Sequence, residues 1–346
     1  MVAKVPENYV YLDYAATAPL CEEAAQAMAP YMVPGRANIA FGGNAILDKG
    51  DDGSFETQLE KAKTACREML SILHKGYDIC LVHGNGPQVG NLLIQFEKAR
   101  DIIPVPPLDV AVASSQGLLG HMLEVSMRSV LAEDNMEKDV ACILTQVVVD
   151  SEDPSFKNPT KPIGPFFTKK DADCLMEKQG WKMIEDAGRG WRRVVCSPKP
   201  RKILELNSIR SLLNAHNVVI ACGGGGIPVN YTTNSVMGTT GVIDKDRASA
   251  LLAYNLDAQL YMIVTGVAKV CINYGKPDQR EIEVMTVSEA KKYLAEGQFP
   301  AGSMGPKIQS AIEYVEKGGK EAIITSQDNI TKCMLQPECC TRIVPD

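Results

Sequence analysis

Histidine is scarce in this 346-residue sequence: His74, His83, His121 and His216 are the only four, and no two stand at metal-ligand spacing. No apolar run approaches the roughly 18 residues of a membrane-spanning helix, and no signal-peptide pattern opens the chain. Positive charge forms no dominant stripe. Lys and Arg total 36 against 42 Asp and Glu, a net charge of −6, which argues against a nucleic-acid-binding protein. The densest basic stretch, Arg189-Gly190-Trp191-Arg192-Arg193, fits either a solvated turn or edge strand, or the wall of a phosphate site. No CxxC pair occurs among the eleven cysteines, and the adjacent Cys339 and Cys340 are awkwardly placed to bridge. Cys80, Cys142, Cys222 and Cys271 sit in apolar runs as small core residues. This is the cysteine usage of a reducing compartment, and a cytoplasmic location is the default expectation. What remains is ordinary globular composition, 45% hydrophobic and 23% charged, long enough for one large α/β domain or two small ones.

The periodicity alternates strand with helix. Asp78–Val82 is an apolar run that meets a glycine turn and then a helical pattern from Asn91 to Arg100. Val140–Val149 is nearly continuous and β-branched, as in a strand buried on both faces. Val218–Cys222 again runs into glycines, and Gln259–Thr265 and Glu321–Thr325 have the same buried-strand character. Leu59, Ala62, Cys66, Met69, Leu70 and Leu73 share one helical face. So do Ile308, Ala311, Ile312 and Val315, after Ser303 as a helix cap. The fold class is therefore α/β: a mostly parallel central sheet with helices on both sides, a three-layer αβα sandwich. Residues 150–201 differ, being rich in Pro, Lys, Asp and Gly with five aromatics. They form either an inserted lid-like subdomain or a plain surface excursion.

Glycine turns and isolated lysines are spread over the chain: Gly42-Gly43-Asn44-Ala45, His83 to Gly90, Pro159 to Gly164, Gly223 to Gly226, Asp244-Lys245-Asp246 and Met304-Gly305-Pro306-Lys307. Backbone N–H groups approach an anion closely only where no Cβ intrudes. Phosphoryl transfer needs positioning and positive charge more than covalent chemistry. Gly84-Asn85-Gly86-Pro87-Gln88-Val89-Gly90 has a GxGxxxG pattern, but a proline-broken loop at Ile102–Pro107 stands where a dinucleotide fold wants an acid. A Walker A sequence is absent too. An anion-binding turn is the reading, with a ligand-free tight turn as its alternative. Gly223 to Gly226 cost backbone entropy, which favours close approach to a nucleotide phosphate over a purely structural role. Lys161 lies between prolines that stiffen its backbone, Asp244 and Asp246 flank Lys245 at a helix start where an acid can cap, and Lys307 opens a helix whose dipole disfavours a lysine unless an anion is bound.

From about Ile39 to its end the chain resembles the carbamate kinases of the amino acid kinase superfamily. The resemblance is carried by Lys157-Asn158-Pro159-Thr160-Lys161-Pro162-Ile163-Gly164-Pro165-Phe166, Ala187-Gly188-Arg189-Gly190-Trp191-Arg192 and Cys271-Ile272-Asn273-Tyr274-Gly275-Lys276-Pro277-Asp278. It implies ADP + carbamoyl phosphate ⇌ ATP + carbamate, with Mg²⁺, in a homodimer serving arginine fermentation. Lys161, Lys245 and Lys307 match active-site lysines, and Asp246 would orient them or help hold the metal. Gly42, Gly43, Asn44, Gly84, Asn85 and Gly86 would cradle carbamoyl phosphate. Gly223, Gly224 and Gly225 would lie against nucleotide phosphates, with Asp244 at the same site and Tyr274 near the base. No protein metal ligand is assigned.

Residues 1–38 depart from that pattern. Tyr11-Leu12-Asp13-Tyr14-Ala15-Ala16-Thr17-Ala18-Pro19 through Met32 resembles the start of a cysteine desulfurase, and nothing matches the rest of such an enzyme. The alternative is an unrelated amphipathic leader helix over Leu20–Val33. The kinase domain then spans 39–346, and its first strand must come from Arg36–Phe41, where Arg36 and Asn38 replace apolar residues. An unpaired polar group there costs about 1–3 kcal/mol. Three readings follow: an active carbamate kinase, a nucleotide-binding but inactive kinase fold damaged at its first strand, or an interaction protein whose leader docks a partner.

Overall fold

Strands covered by helices on both faces are apolar at every position, and these runs form the centre of the fold in the computed structural model. Residues 35–42, 46, 51–186, 190–232, 234–300 and 302–346 are described; the leader helix and the desulfurase-like segment lie outside them. The strands are β1 Gly35–Phe41, β2 Tyr77–His83, β3 Val140–Cys142, β4 Gln146–Val149, β5 Lys161–Phe167, β6 Met183–Glu185, β7 Trp191–Val195, β8 Pro200–Ile203 and β9 Val218–Ile220. They continue with β10 Ile227–Tyr231, β11 Val236–Gly238, β12 Leu260–Thr265, β13 Val270–Ile272, β14 Arg280–Ile282, β15 Val284–Thr286, β16 Ala322–Ser326 and β17 Thr341–Val344. The helices are α1 Phe55–His74, α2 Gly86–Lys98, α3 Leu108–Glu133, α4 Lys169–Gln179, α5 Leu206–Asn214, α6 Lys245–Asn255, α7 Val287–Ala295, α8 Met304–Glu316 and α9 Ile330–Leu335.

The eight-stranded sheet has the order β15-β17-β16-β12-β1-β2-β9-β3. The pairs β1–β12, β12–β16, β2–β9, β3–β9 and β15–β17 are parallel, and β17 runs antiparallel to β16. Alternate residues face opposite layers, as the strand period of two requires. Ile39, Phe41, Met262 and Val264 pack with α1 and α3 residues such as Met69 and Leu123. Ala40, Tyr261 and Ile263 pack with Ile308, Ala311 and Ile312 of α8. The three-layer α/β expectation is met.

The polar residues of β1 have partners. Asn38 is buried, pairs in register with Tyr261, and donates its Nδ2 to Ser249 O at 3.0 Å and Ser249 Oγ at 2.8 Å. Only its Oδ1 is left without a partner. Arg36 donates to Leu256 O at 2.7 Å and Asn214 Oδ1 at 2.6 Å, and its backbone N–H to Gln259 Oε1 at 2.6 Å. The strand expected to be impaired is held by these bonds in the middle of the sheet.

One expected strand is broken. Val140–Val149 divides into β3 in the main sheet and β4 in a second sheet, β11-β10-β4-β8. The break is at Thr145, whose N–H donates to Gln116 Oε1 at 2.8 Å and whose carbonyl accepts from Ile227 N. Side-chain and loop partners thus satisfy the backbone there in place of a ladder. Within 150–201, β5-β7-β6 form a separate three-stranded sheet beside α4, with the Phe167 and Trp181 rings edge to face at 6.3 Å. Part of the stretch thus has a sheet of its own, while its last residues begin β8 of the second sheet.

Candidate active site

Three helices begin around one cleft of about 220 Å³. At the start of α2, Asn85 stands in the capping position but its Nδ2 donates to Ser115 Oγ at 2.8 Å, and it makes no cap bond. The turn before it is fastened to β1 by Gly84 N donating to Phe41 O at 2.8 Å. At the start of α8, Ser303 has φ −141° and ψ −78° and its side chain makes no cap bond, contrary to the capping role expected of it. Neither helix carries an acid in its first turn. Two 13-residue helices without a side-chain cap therefore turn the positive ends of their dipoles toward the cleft, although Gly305 N already donates to Pro300 O at 2.9 Å. The third, α6, is capped: Asp244 Oδ1 accepts from Asp246 N at 3.0 Å.

Charged side chains close the circuit. Lys161 Nζ lies 3.0 Å from Asp244 Oδ2, Lys245 Nζ 2.6 Å from Asp246 Oδ1, and Lys307 Nζ 2.9 Å from Asp246 Oδ2. These lysines come from β5, α6 and α8, far apart in sequence. Burial alone would raise the Asp246 pKa, but the charges of Lys245 and Lys307 win and hold it below the usual range. Burial likewise opposes ionisation of Asp244, and Lys161, Lys245 and Lys307 overcome it. The Lys245 ammonium is pushed the other way, its pKa lowered by burial and by Lys307 and raised by Asp246. Three lysines against two aspartates leave a formal excess of one positive charge (3 − 2) in a walled cleft. That arrangement suits an anion that can displace the lysines from their carboxylates.

Gly84, Asn85, Gly86, Lys161, Asp244, Lys245, Asp246 and Lys307, each singled out in the sequence, line this cleft together. Gly42, half-buried directly after β1, does not line the cleft, and Gly43 and Asn44 lie outside the described residues. The Gly223–Gly225 run forms a buried 3₁₀ turn after β9, and only Gly224 of it lines the cleft. The glycines there are required by protein packing. A Cβ on Gly223 would lie 2.3 Å from His83 Nε2, one on Gly224 2.1 Å from Asn85 Nδ2, and one on Gly225 2.5 Å from Ile243 O. A Cβ on Gly226 would lie 2.2 Å from Val147 Cγ2, so packing within the protein calls for glycine at all four positions. Tyr274 is 68% exposed in the β13–β14 turn and does not line the cleft.

Two groups were missed. Gln116 on α3 ties Thr145 O and Gly223 O together with its Nε2, at 3.2 and 3.0 Å. His83 is buried, its pKa pushed down to about 4 by burial and by the Lys245 charge, against a contact of Nδ1 with Gly84 O. Its Nε2 has no partner. The signal for His83 was its place beside Gly84; for Gln116 there was none.

Magnesium was expected with ADP or ATP. Asp244 and Asp246 are both engaged by lysines, and no group of three His, Cys, Asp or Glu side chains among the described residues could hold a metal. A cage made by these protein residues does not fit.

The chain is similar to known proteins over most of its length. The amino acid kinase family model matches residues 38–326. The carbamate kinase of Thermococcus kodakarensis is 44% identical over 302 residues, 86% of this chain and 96% of that protein. Carbamate kinase 2 of Staphylococcus aureus is 46% identical over 304 residues, 86% and 95% of the two chains. The solved carbamate kinase of Giardia lamblia bound to AMP-PNP has a TM-score of 0.83 at 41% identity, covering 90% of this chain and 99% of that one. With these likenesses joined to the fold and the lysine cleft, the chain belongs to the amino acid kinase family, among its carbamate kinases.

Proposed function

We propose that this enzyme transfers a phosphoryl group reversibly between carbamoyl phosphate and ADP, yielding carbamate and ATP, in the cleft of Lys161, Lys245 and Lys307. The observation that carries the reading is the convergence of three ammonium groups on two carboxylates between two uncapped helix starts. An ADP β-phosphate oxygen attacks phosphorus in line, and carbamate leaves as an anion. In reverse the carbamate oxygen attacks with charge it already carries. Neither direction needs a general base, and His83 is neutral near neutral pH. Lys161, Lys245 and Lys307 neutralise the equatorial oxygens, while Asp244 and Asp246 hold the lysines in place before substrate arrives. Gly84 and Gly86, with Gly42, Gly43 and Asn44, serve the carbamoyl phosphate end. Gly223–Gly225 and Tyr274 serve the nucleotide, and the subdomain within 150–201 covers the site through Lys161.

A cytoplasmic homodimer is the setting of this reading. The long helix α3 exposes Val110, Leu118 and Val125 on its surface, and the preceding loop exposes Ile102 and Ile103, apolar area that a partner copy would cover. The inactive alternative rested on damage to β1, and the partners of Arg36 and Asn38 remove its motive. The test is ATP formation from ADP, carbamoyl phosphate and Mg²⁺ by the full chain and by Lys161→Ala. Turnover that falls in the variant by roughly 10²–10³-fold supports the reading. A folded chain that binds ADP without turnover would favour the inactive alternative.

A further inference from the structure

A second cavity, of about 370 Å³, shares two walls with the lysine cleft. Helix α2 gives Gly86 and Pro87 to the cleft and Gly90, Leu93 and Ile94 to the cavity. Strand β5 gives Lys161 and Pro162 to the cleft, Gly164 and Phe167 to the cavity, and Ile163 to both. The two elements touch backbone to backbone: a Cβ on Gly90 would lie 2.6 Å from Gly164 Cα.

The walls of the cavity are apolar and aromatic, with Leu93, Ile94 and Leu175 facing Phe167 and Trp181. Its lining carries two cations, Arg193 and Lys98, and two acids, Glu97 and Asp171. The Arg193 guanidinium stacks over the Trp181 ring at 4.5 Å, and neither Arg193 nor Lys98 has an ion pair among the described residues. The acids at the rim are already engaged. Glu97 pairs with Arg100 at 3.1 Å while its charge is also felt by Arg193, and Asp171 accepts from Thr168 Oγ1 at 2.7 Å. An apolar, aromatic-walled slot whose two cations form no ion pair with its own acids complements an apolar aromatic body that carries one anionic group. A guanidinium already stacked on an aromatic face still presents its N–H edge to a carboxylate or sulfonate.

We propose that this cavity binds a small aromatic carboxylate or sulfonate, held by Arg193 and Lys98 over Trp181, and that its occupancy is felt at Lys161 through β5. The ligand would fasten α2 to the subdomain that carries Lys161, so binding there and binding of carbamoyl phosphate are thermodynamically linked. The coupling rests on the carbamate kinase reading; the binding site does not.

The probe is 1-anilinonaphthalene-8-sulfonate, titrated into the full chain. Its emission and the quenching of tryptophan are followed, since the sequence contains only two tryptophans, Trp181 and Trp191. Expected is one saturable site per chain, weakened about tenfold or more in Arg193→Gln. Ile94→Trp, which fills the cavity from a partly exposed position, should weaken it similarly, with both variants checked for folding by circular dichroism and melting. Saturating ADP, or Lys161→Ala, should leave probe affinity within about threefold, and the probe should shift the KM for carbamoyl phosphate by about threefold or more in the parent chain only. The proposal is overturned by the absence of saturable binding, by equal affinity in the folded variants, by full displacement with ADP, or by saturation without any kinetic effect. Failure of the kinase reading would appear separately, as a chain without turnover whose probe binding still depends on Arg193.

Discussion

Asp246 is 3% exposed between two ammonium groups, and burying an ion pair is favourable only while every partner is present. The charged residues of the site were legible in the sequence because an acid–lysine–acid run at a helix start and a lysine after Gly-Pro are unusual locally. The burial of His83 was not legible, because it depends on Gly223, which is distant in sequence and near in space. That burial has a measurable consequence. The folded-state pKa of His83 is lowered from 6.5 to about 4, so between those values the unfolded chain binds a proton that the folded chain does not. Stability from this group is therefore complete above 6.5 and is lost as pH falls toward 4, by roughly 3 kcal/mol in all. The depressed pKa values of Asp244 and Asp246 act in a lower window, starting near the ordinary carboxylate value of 3.8. Urea unfolding of the parent chain and His83→Asn, repeated at several pH values through this window, separates the two. The parent should lose more stability than the variant, and parallel curves would sink the assignment.

Helix ends explain what the glycine-rich turns are for. Ser303 and Asn85 both have the chemistry and the position of caps, and a sequence reading gives that role to Ser303. In the fold Asn85 bonds to Ser115, and Ser303 adopts a backbone conformation in which its hydroxyl makes no cap bond. Both helices are left less stable than they could be, and both open onto the lysine cleft. If the uncapped state serves anion binding, stability and function should move in opposite directions on adding an acid. Ser303→Asp places a carboxylate at the positive end of the α8 dipole and near Lys307. It should stabilise the chain by about 0.3–1 kcal/mol, seen as a higher melting temperature. It should also raise the KM for carbamoyl phosphate or ADP severalfold, because the new charge competes with substrate. A stabilised variant with unchanged KM values would show that the open helix end takes no part in binding.

At the scale of the molecule, alternation of buried strands and amphipathic helices was legible because helices on both faces make each strand an apolar run. The division of Val140–Val149 between two sheets was not, since it follows from Gln116 reaching Thr145 across 29 positions. The first strand was misjudged for a related reason: composition records that Arg36 and Asn38 are polar, and only the fold supplies Leu256, Asn214 and Ser249 as their partners. Because β1 lies between β12 and β2 in the middle of the eight-stranded sheet, the place where the chain is cut decides everything. Residues 36–346 form one compact unit, and the partners of Arg36 all lie within it. Removing residues 1–34 should therefore leave the melting temperature within about 2 °C of the full chain and carbamate kinase turnover within about twofold. Removing residues 1–41 takes away a central strand with Ile39 and Phe41, fully buried in the core, and should abolish folding. Loss of turnover on removing residues 1–34, in a chain that still melts cooperatively, would make the leader a working part of the enzyme and would restore the reading in which it acts by contact.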